Sequence, residues 1–102
     1  MYLPRILKAP KQSFFLMGPR GSGKSTWLQA TFKDAHVINL LSEATYQRLL
    51  SGPGLFANEL RGIPTGKWVI VDEVQRLPDL LNEVHRFIEE KRMRFVLCGS
   101  SA

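Results

Sequence analysis

The sequence predicts an α/β fold in which a parallel sheet lies between layers of helices. Strand-like and helix-like segments alternate along the chain, which is the pattern of such layered folds. The strand-like segments are short, continuous apolar runs, as expected for strands that are buried on both faces. They comprise residues 14–17, 37–41, 68–71 and 95–98. A chain of 102 residues has room for one core, so we expect a single domain.

The helical segments are predicted from apolar spacing and from residues that begin or end helices. They cover residues 24–33, 43–51 and 55–61, and a last segment that starts near Pro78. Ser42 can cap the second helix, and Gly52 and Pro53 end it. Pro78 suits the first turn of the last helix, whose apolar residues recur at helical spacing and form one stripe. The stripe consists of Leu80, Leu81, Val84, Phe87 and Ile88.

The positive charge of the chain is concentrated near its amino terminus. There are 14 Lys and Arg residues against 9 Asp and Glu residues, which gives a formal net charge of +5. Residues 1–33 contain no acid and hold six basic side chains: Arg5, Lys8, Lys11, Arg20, Lys24 and Lys33. We treat residues 1–12 as a basic amino-terminal segment and residues 13–102 as the folded domain. Such a segment can attract an anion, either a small phosphate ligand or a nucleic acid backbone.

Membrane-spanning and sulfur-ligated metal proteins are excluded by the sequence. The apolar runs are far shorter than the ~20 residues that cross a bilayer, and the amino terminus lacks the continuous apolar region of a secretory signal. We therefore expect a cytoplasmic protein that does not enter the membrane. The single Cys98 has no partner for an internal disulfide, and the chain contains no C-x-x-C pair.

The segment between the first strand and the first helix fits the pattern G-x-x-x-x-G-K-[ST] at every fixed position. It consists of Gly18, Pro19, Arg20, Gly21, Ser22, Gly23, Lys24 and Ser25. Glycines allow successive backbone N–H groups to turn toward a phosphate, and the start of a helix adds further oriented donors. We therefore predict that this loop binds the phosphates of a nucleotide.

Individual side chains of this loop have distinct predicted roles. Lys24 can bridge the β- and γ-phosphates, and the Ser25 hydroxyl can hold Mg²⁺. Thr26 offers a further N–H and a hydroxyl near the α-phosphate, and Arg20 could also touch phosphate. A dinucleotide fingerprint is excluded, because the G-x-G-x-x-G spacing that starts at Gly21 ends in Thr26.

Two adjacent acids follow the third strand. Trp68 begins an apolar run that ends in Asp72 and Glu73. Ligands bind at the carboxyl ends of the strands in open parallel sheets, so these carboxylates should face the phosphate loop. We predict that Asp72 holds Mg²⁺ and that Glu73 orients or deprotonates the water that attacks the γ-phosphate.

Taken in order, these motifs resemble those of a known family. The chain is similar to the amino-terminal ATPase domain of prokaryotic AAA-family ATP-binding proteins, which usually carry a DUF4143 region after this domain. The similar segments, in chain order, are GPRGSGKS, WVIVDEVQRLP, an amphipathic helix and RFVLCGSSA. The likeness covers residues 11–102. Its first two motifs are shared by a large class of P-loop ATPases, whereas DEVQRLP and CGSSA are more particular.

The resemblance implies a role for each motif. Residues 18–25 correspond to Walker A, Asp72 and Glu73 correspond to Walker B, and Ser100 corresponds to sensor 1, with Ser101 as the nearest alternative. A sensor 1 side chain contacts the γ-phosphate or the attacking water. Ser100 therefore joins Lys24 and Glu73 as a candidate catalytic residue.

The resemblance also implies a fold, the three-layer α/β/α core of P-loop NTPases with the strand order 5-1-4-3-2. Relatives continue well past sensor 1, so we expect an incomplete core of four strands that is truncated after this motif. The first strand would then lie at an edge of the sheet.

The function favoured by these observations is ATP binding, with Mg²⁺-dependent ATP hydrolysis as the parent activity of an AAA-type ATPase. Two alternatives stay open: a nucleotide-binding fragment without turnover, and a fragment of a helicase or DNA-translocating motor. A GTPase is disfavoured, because no N-K-x-D or T-K-x-D segment occurs in the chain. Self-association and nucleic acid or protein partners are left open. Arg61 and Arg76 could serve the site of a neighbouring subunit, but we expect both to be solvated.

Overall fold

The structure, a computed structural model, describes residues 12–18, 23–52, 54–64 and 66–100. Of Lys24 and Ser25 it describes the backbone only. Within these residues the chain forms four strands and four α-helices. In chain order they are β1 (Phe14–Gly18), α1 (Lys24–Thr31), β2 (His36–Asn39), α2 (Glu43–Ser51), α3 (Leu55–Arg61), β3 (Trp68–Asp72), α4 (Leu80–Lys91) and β4 (Arg94–Ser100). One turn of 3₁₀ helix, Val74–Arg76, lies between β3 and α4.

The four strands form one sheet in the order β1-β4-β3-β2, and all neighbouring pairs are parallel. This confirms the predicted α/β fold with a four-stranded parallel sheet. In the register of the sheet, Phe14 lies opposite Val96, and Ile70 lies opposite both Val96 and Val37. β4 therefore lies between β1 and β3, although it is the last strand in the chain.

Both faces of the sheet are covered, which explains the continuous apolar runs of the strands. Successive side chains of a strand point to opposite faces. On one face, α1 packs over a cluster formed by Leu16, Leu28, Phe32, Ile70, Val96 and Cys98. On the other, α2, α3 and α4 cover strand residues that include Ile38, Val69, Val71, Phe95 and Leu97. Complete burial of each such aliphatic or aromatic side chain contributes about 1.5–3 kcal/mol to stability.

An aromatic cluster holds α1 against the two strands that carry the sequence motifs. Its members are Phe14, Trp27, Phe32 and Trp68. The ring centroids of Phe32 and Trp68 are 4.7 Å apart, and those of Phe14 and Trp27 are 6.3 Å apart in an edge-on arrangement. Such ring pairs contribute about 0.5–1.5 kcal/mol beyond the area they bury. The helix that follows the predicted phosphate loop is thus packed against both β1 and β3.

Several predicted boundaries differ from those of the structure. α1 ends at Thr31, because Phe32 leaves the helical conformation with φ −121° and ψ 67° and turns its ring into the core. β2 ends at Asn39 because Leu40 and Leu41 form a turn there, in which Leu41 N–H donates to Asn39 Oδ1 at 3.0 Å. α4 begins at Leu80, two residues after Pro78, because Pro78 and Asp79 form a turn whose carbonyls accept hydrogen bonds from the N–H groups of Leu81 and Asn82.

Each edge strand of the described sheet exposes apolar side chains on one face. In β1, Phe15 is 58% exposed and Met17 is 45% exposed, since the helices of that face cover the other strands. In β2, Val37 is 57% exposed on the opposite face. In the part of the chain that the structure describes, none of the helices combines the length and the hydropathy needed to cross a bilayer.

A charged cluster connects β2, α2 and α3. His36 Nε2 lies 2.7 Å from Glu59 Oε2, and Arg48 Nη2 donates to Glu59 Oε1 at 3.0 Å. Burial by itself raises the pKa of the Glu59 carboxyl, but the hydrogen bonds and charges of His36 and Arg48 together outweigh burial and lower that pKa below its ordinary value. Glu59 thereby joins three elements on one side of the sheet.

We predict that Glu59→Gln lowers the free energy of unfolding by about 1 kcal/mol at neutral pH, since it removes two charge-assisted hydrogen bonds. Because the folded-state pKa of Glu59 is depressed, this contribution is complete above the ordinary value of 4.5 and is lost as the pH falls through the lower folded value. Urea unfolding from neutral pH into this acid range measures the difference. Glu90→Gln is the matched control and should leave the free energy of unfolding close to that of the wild type, since Glu90 is exposed and its Oε1 lies as far as 3.9 Å from Arg86 Nη1.

Candidate functional site

The sheet brings the two sequence motifs to one edge. Gly18, the first residue of the predicted phosphate loop, lies opposite Ser100 in the β1–β4 pair. Asp72 ends β3, the strand on the other side of β4, and lies opposite Asn39 of β2. All of these residues are at the carboxyl ends of parallel strands, where ligands of open α/β sheets bind.

Only part of the predicted phosphate loop can be described. Pro19, Arg20, Gly21 and Ser22 lie outside the described residues, as do the side chains of Lys24 and Ser25. Their roles stay predictions, as does that of Ser101, which is also outside the described residues.

The described end of the loop contains a glycine with left-handed backbone angles at the start of α1. Gly23 has φ 89° and ψ 7°, a conformation that glycine adopts readily and that a side chain disfavours. Its carbonyl accepts the hydrogen bond from Trp27 N–H at 3.0 Å, and Thr26 is exposed in the first turn of the helix. The chain therefore makes its sharp turn into α1 at the last glycine of the motif.

Glu73 is a buried carboxylate in an unusual backbone conformation. The residue is 3% exposed, and it is the one buried charged residue of the described chain. Its φ of 59° and ψ of 46° are left-handed, which costs a residue with a side chain about 1–3 kcal/mol and is common at functional sites. This conformation ends β3 and leads directly into the 3₁₀ turn, where Arg76 N–H donates to Glu73 C=O at 3.0 Å.

Two side chains donate hydrogen bonds to the Glu73 carboxylate. Ser100 Oγ donates to Oε2 at 2.7 Å, so the structure brings together two of the predicted catalytic residues. Gln75 Nε2 donates to Oε1 at 2.6 Å. Buried carboxylates are costly without such donors, and these two bonds offset part of that cost. Sequence reasoning missed Gln75, although its place in the DEVQRLP motif, two residues after Glu73, was a signal that could have identified it.

Asp72 is the predicted metal ligand whose side chain the structure describes. It is partly buried at the end of β3, and its backbone carbonyl accepts a hydrogen bond from Leu40 N–H at 3.1 Å. Among the described residues, His, Cys, Asp and Glu form no group of three or more that could hold a metal ion. Mg²⁺ bound with a nucleotide needs only one or two protein oxygen ligands, because phosphates and water supply the others. The predicted donors, the Asp72 carboxylate and the Ser25 hydroxyl, are hard oxygen ligands of this kind.

Arg76 is anchored to the protein, and its predicted solvation was wrong. Its Nη1 donates to Leu40 C=O at 2.8 Å, and its Nη2 is 3.5 Å from Glu43 Oε1. The guanidinium carbon lies 4.1 Å from the centroid of the Tyr46 ring. A planar guanidinium can make all of these contacts at once. Arg76 thus fastens the 3₁₀ turn after Glu73 to the connection between β2 and α2. Arg61, in contrast, is exposed and donates to Asn58 Oδ1 at 2.7 Å.

The sheet is all-parallel in the order β1-β4-β3-β2, a G-x-x-x-x-G-K-[ST] segment follows β1, and two acids follow β3. This arrangement is consistent with the core of a P-loop nucleotide-binding protein. A family model described as an AAA domain matches residues 10–102, and the chain belongs to this family. Membership supports a nucleotide-binding, ATPase-type function in general. No curated protein and no solved structure matched the chain.

We predict that Arg76→Ala lowers the free energy of unfolding by about 1–3 kcal/mol, because the buried Leu40 carbonyl loses a charged donor. Arg76→Lys should restore little of this loss, since an ammonium group cannot make the bidentate and stacking contacts together. Chemical denaturation of the three proteins measures the effect. Arg61→Ala is the control and should stay within about 0.5 kcal/mol of the wild type, as expected for an exposed side chain.

Proposed function

We propose that this chain binds ATP with Mg²⁺ at the carboxyl edge of its sheet and that ATP hydrolysis is the activity of its AAA domain. One observation carries the proposal. Glu73 directly follows β3, the strand next to β4, and its buried carboxylate accepts a hydrogen bond from Ser100 at the same edge as Gly18, where the predicted phosphate loop begins. A general base, a polar side chain and a phosphate-binding loop at one edge are the parts that phosphoryl transfer to water needs.

Binding would depend chiefly on residues 18–25, the proposed Walker A loop. Its backbone N–H groups and the start of α1 would bind the phosphates, and Lys24 would neutralise charge on the β- and γ-phosphates. The Ser25 hydroxyl and the Asp72 carboxylate are the proposed ligands of Mg²⁺, which when bound offsets negative charge on the phosphates. Thr26, exposed in the first turn of α1, would add a donor near the α-phosphate.

Hydrolysis would depend on Glu73 as the proposed Walker B base. Its buried position favours this role, because a carboxylate shielded from bulk water can orient one water molecule and accept its proton. Ser100, the proposed sensor 1 residue, contacts Glu73 and would hold the carboxylate beside the γ-phosphate. Catalysis would then be mainly a matter of positioning and of charge stabilisation.

We predict that Lys24→Ala weakens ATP binding by about 1.5–3 kcal/mol, equivalent to about 10- to 150-fold in Kd, because a charged donor to the phosphates is lost. Calorimetric titration with ATP and with GTP, with and without Mg²⁺, measures the loss and also identifies the preferred base. Lys33→Ala is the matched control, since Lys33 is exposed beyond the opposite end of α1 and should leave Kd unchanged. Equal affinity of Lys24→Ala and the wild type would show that the phosphate site lies elsewhere.

We predict that Glu73→Gln retains ATP binding and lowers the hydrolysis rate by about 10²- to 10⁴-fold, because the amide keeps the shape of the carboxylate but cannot accept a proton. Phosphate release and ATP affinity, measured on the same preparations, separate the two effects. Glu89→Gln, on the exposed surface of α4, should change neither quantity. A wild-type chain that binds ATP without releasing phosphate would instead support a nucleotide-binding module without turnover.

A further inference from the structure

Gln75 lies in the 3₁₀ turn after β3, and the proposed mechanism gives this residue no role. Its amide nitrogen lies 2.6 Å from Glu73 Oε1, and Ser100 Oγ donates to the other carboxylate oxygen at 2.7 Å. The two donors come from different elements, the turn after β3 and the end of β4. Together they define the plane in which the Glu73 carboxylate lies.

The shape of β4 leaves room for the Gln75 amide. Gly99 lies in β4 directly before Ser100 and does not have a positive φ, so its backbone does not require glycine. Space requires it instead. A Cβ atom at position 99 would lie 2.7 Å from Gln75 Oε1 and 2.6 Å from Met17 Cε, closer than such contacts allow. Both obstructing atoms are at the ends of flexible side chains, so an alanine would displace them without breaking the strand.

We propose that Gln75 is a positioning residue for Glu73, and that the lack of a side chain at Gly99 leaves the space that the Gln75 amide occupies. The inference rests on the proposed function, because it assigns Gln75 to the base of that reaction. Each oxygen of the Glu73 carboxylate accepts one of the two hydrogen bonds from Gln75 and Ser100, so the group is held in one orientation. A base held in one orientation keeps an oxygen aimed at the attacking water, whereas a base free to rotate does not.

The contacts of the turn separate this role from a merely structural one. Arg76 fastens the turn to Leu40 and Glu43, and Gln75 itself is exposed to solvent. Removal of the Gln75 amide should therefore leave the turn in place and release only the carboxylate. The expected defect lies in the chemical step, with ATP affinity and thermal stability preserved.

The test compares steady-state ATP hydrolysis, ATP affinity and Tm for the wild type, Gln75→Ala and Gly99→Ala. We expect kcat to fall by about 10- to 100-fold in both variants, the usual effect of losing a hydrogen bond that orients a functional ligand. KM, Kd for ATP and Tm should stay close to those of the wild type. Met17→Ala is the matched control for Gly99→Ala: it removes the other side chain that the new methyl group would meet, and it should leave kcat unchanged.

Three results overturn the inference, and one of them also overturns the proposed function. If the wild type hydrolyses ATP and Gln75→Ala retains its kcat, the positioning role is wrong and the proposed function stands. If the wild type releases no phosphate, the hydrolytic function fails and the role of Gln75 fails with it. Should Gly99→Ala unfold, Gln75→Ala still decides between these results, because it introduces no steric conflict. A parallel fall in kcat and in Tm for Gln75→Ala would also count against positioning.

Discussion

The placement of β4 between β1 and β3 is the constraint on which the site depends. Parallel strands end at a common edge, so pairing with β4 on both sides puts Gly18, Ser100 and Asp72 at one end of the sheet. If β4 paired elsewhere, the loop after β1 and the acids after β3 would be separated by an open edge. The buried strand residues Phe95 and Val96, both 0% exposed, keep β4 in the middle of the sheet, because both faces of the strand are packed.

Burial of Glu73 is the second constraint, and it has a cost. A carboxylate removed from water needs hydrogen bonds to replace its lost hydration, and the left-handed backbone of Glu73 adds strain. The surrounding structure offsets these costs with the donors Ser100 and Gln75 and with the anchored turn at Arg76. A strained and buried acid held by its neighbours is typical of a residue kept for chemistry, because packing alone would favour an apolar side chain there.

The elements around the site restrict its movement from several sides. The aromatic cluster packs α1 on β1 and β3, so the helix that follows the predicted phosphate loop is held by the same strands that carry the motifs. On the opposite face, Glu59 connects β2 to α2 and α3 through His36 and Arg48. The carboxyl edge is thus supported by contacts that lie away from it, which suits a site whose groups must be held in place.

The sequence by itself determined the class of fold, the order of its elements and the two motifs. Continuous apolar runs such as residues 68–71 identify buried strands because burial on both faces leaves no polar alternation, and the glycine and lysine spacing of residues 18–25 is a local pattern. The tertiary structure decided the contacts that connect the motifs. Ser100 meets Glu73 across 27 positions of the chain, and Arg76 meets Leu40 across 36. Such pairs depend on which strands are neighbours, and the same is true of the space at Gly99. Strand order arises from the packing of the whole sheet, so no local pattern of residues contains it, and the observed order β1-β4-β3-β2 was implied only by the family resemblance.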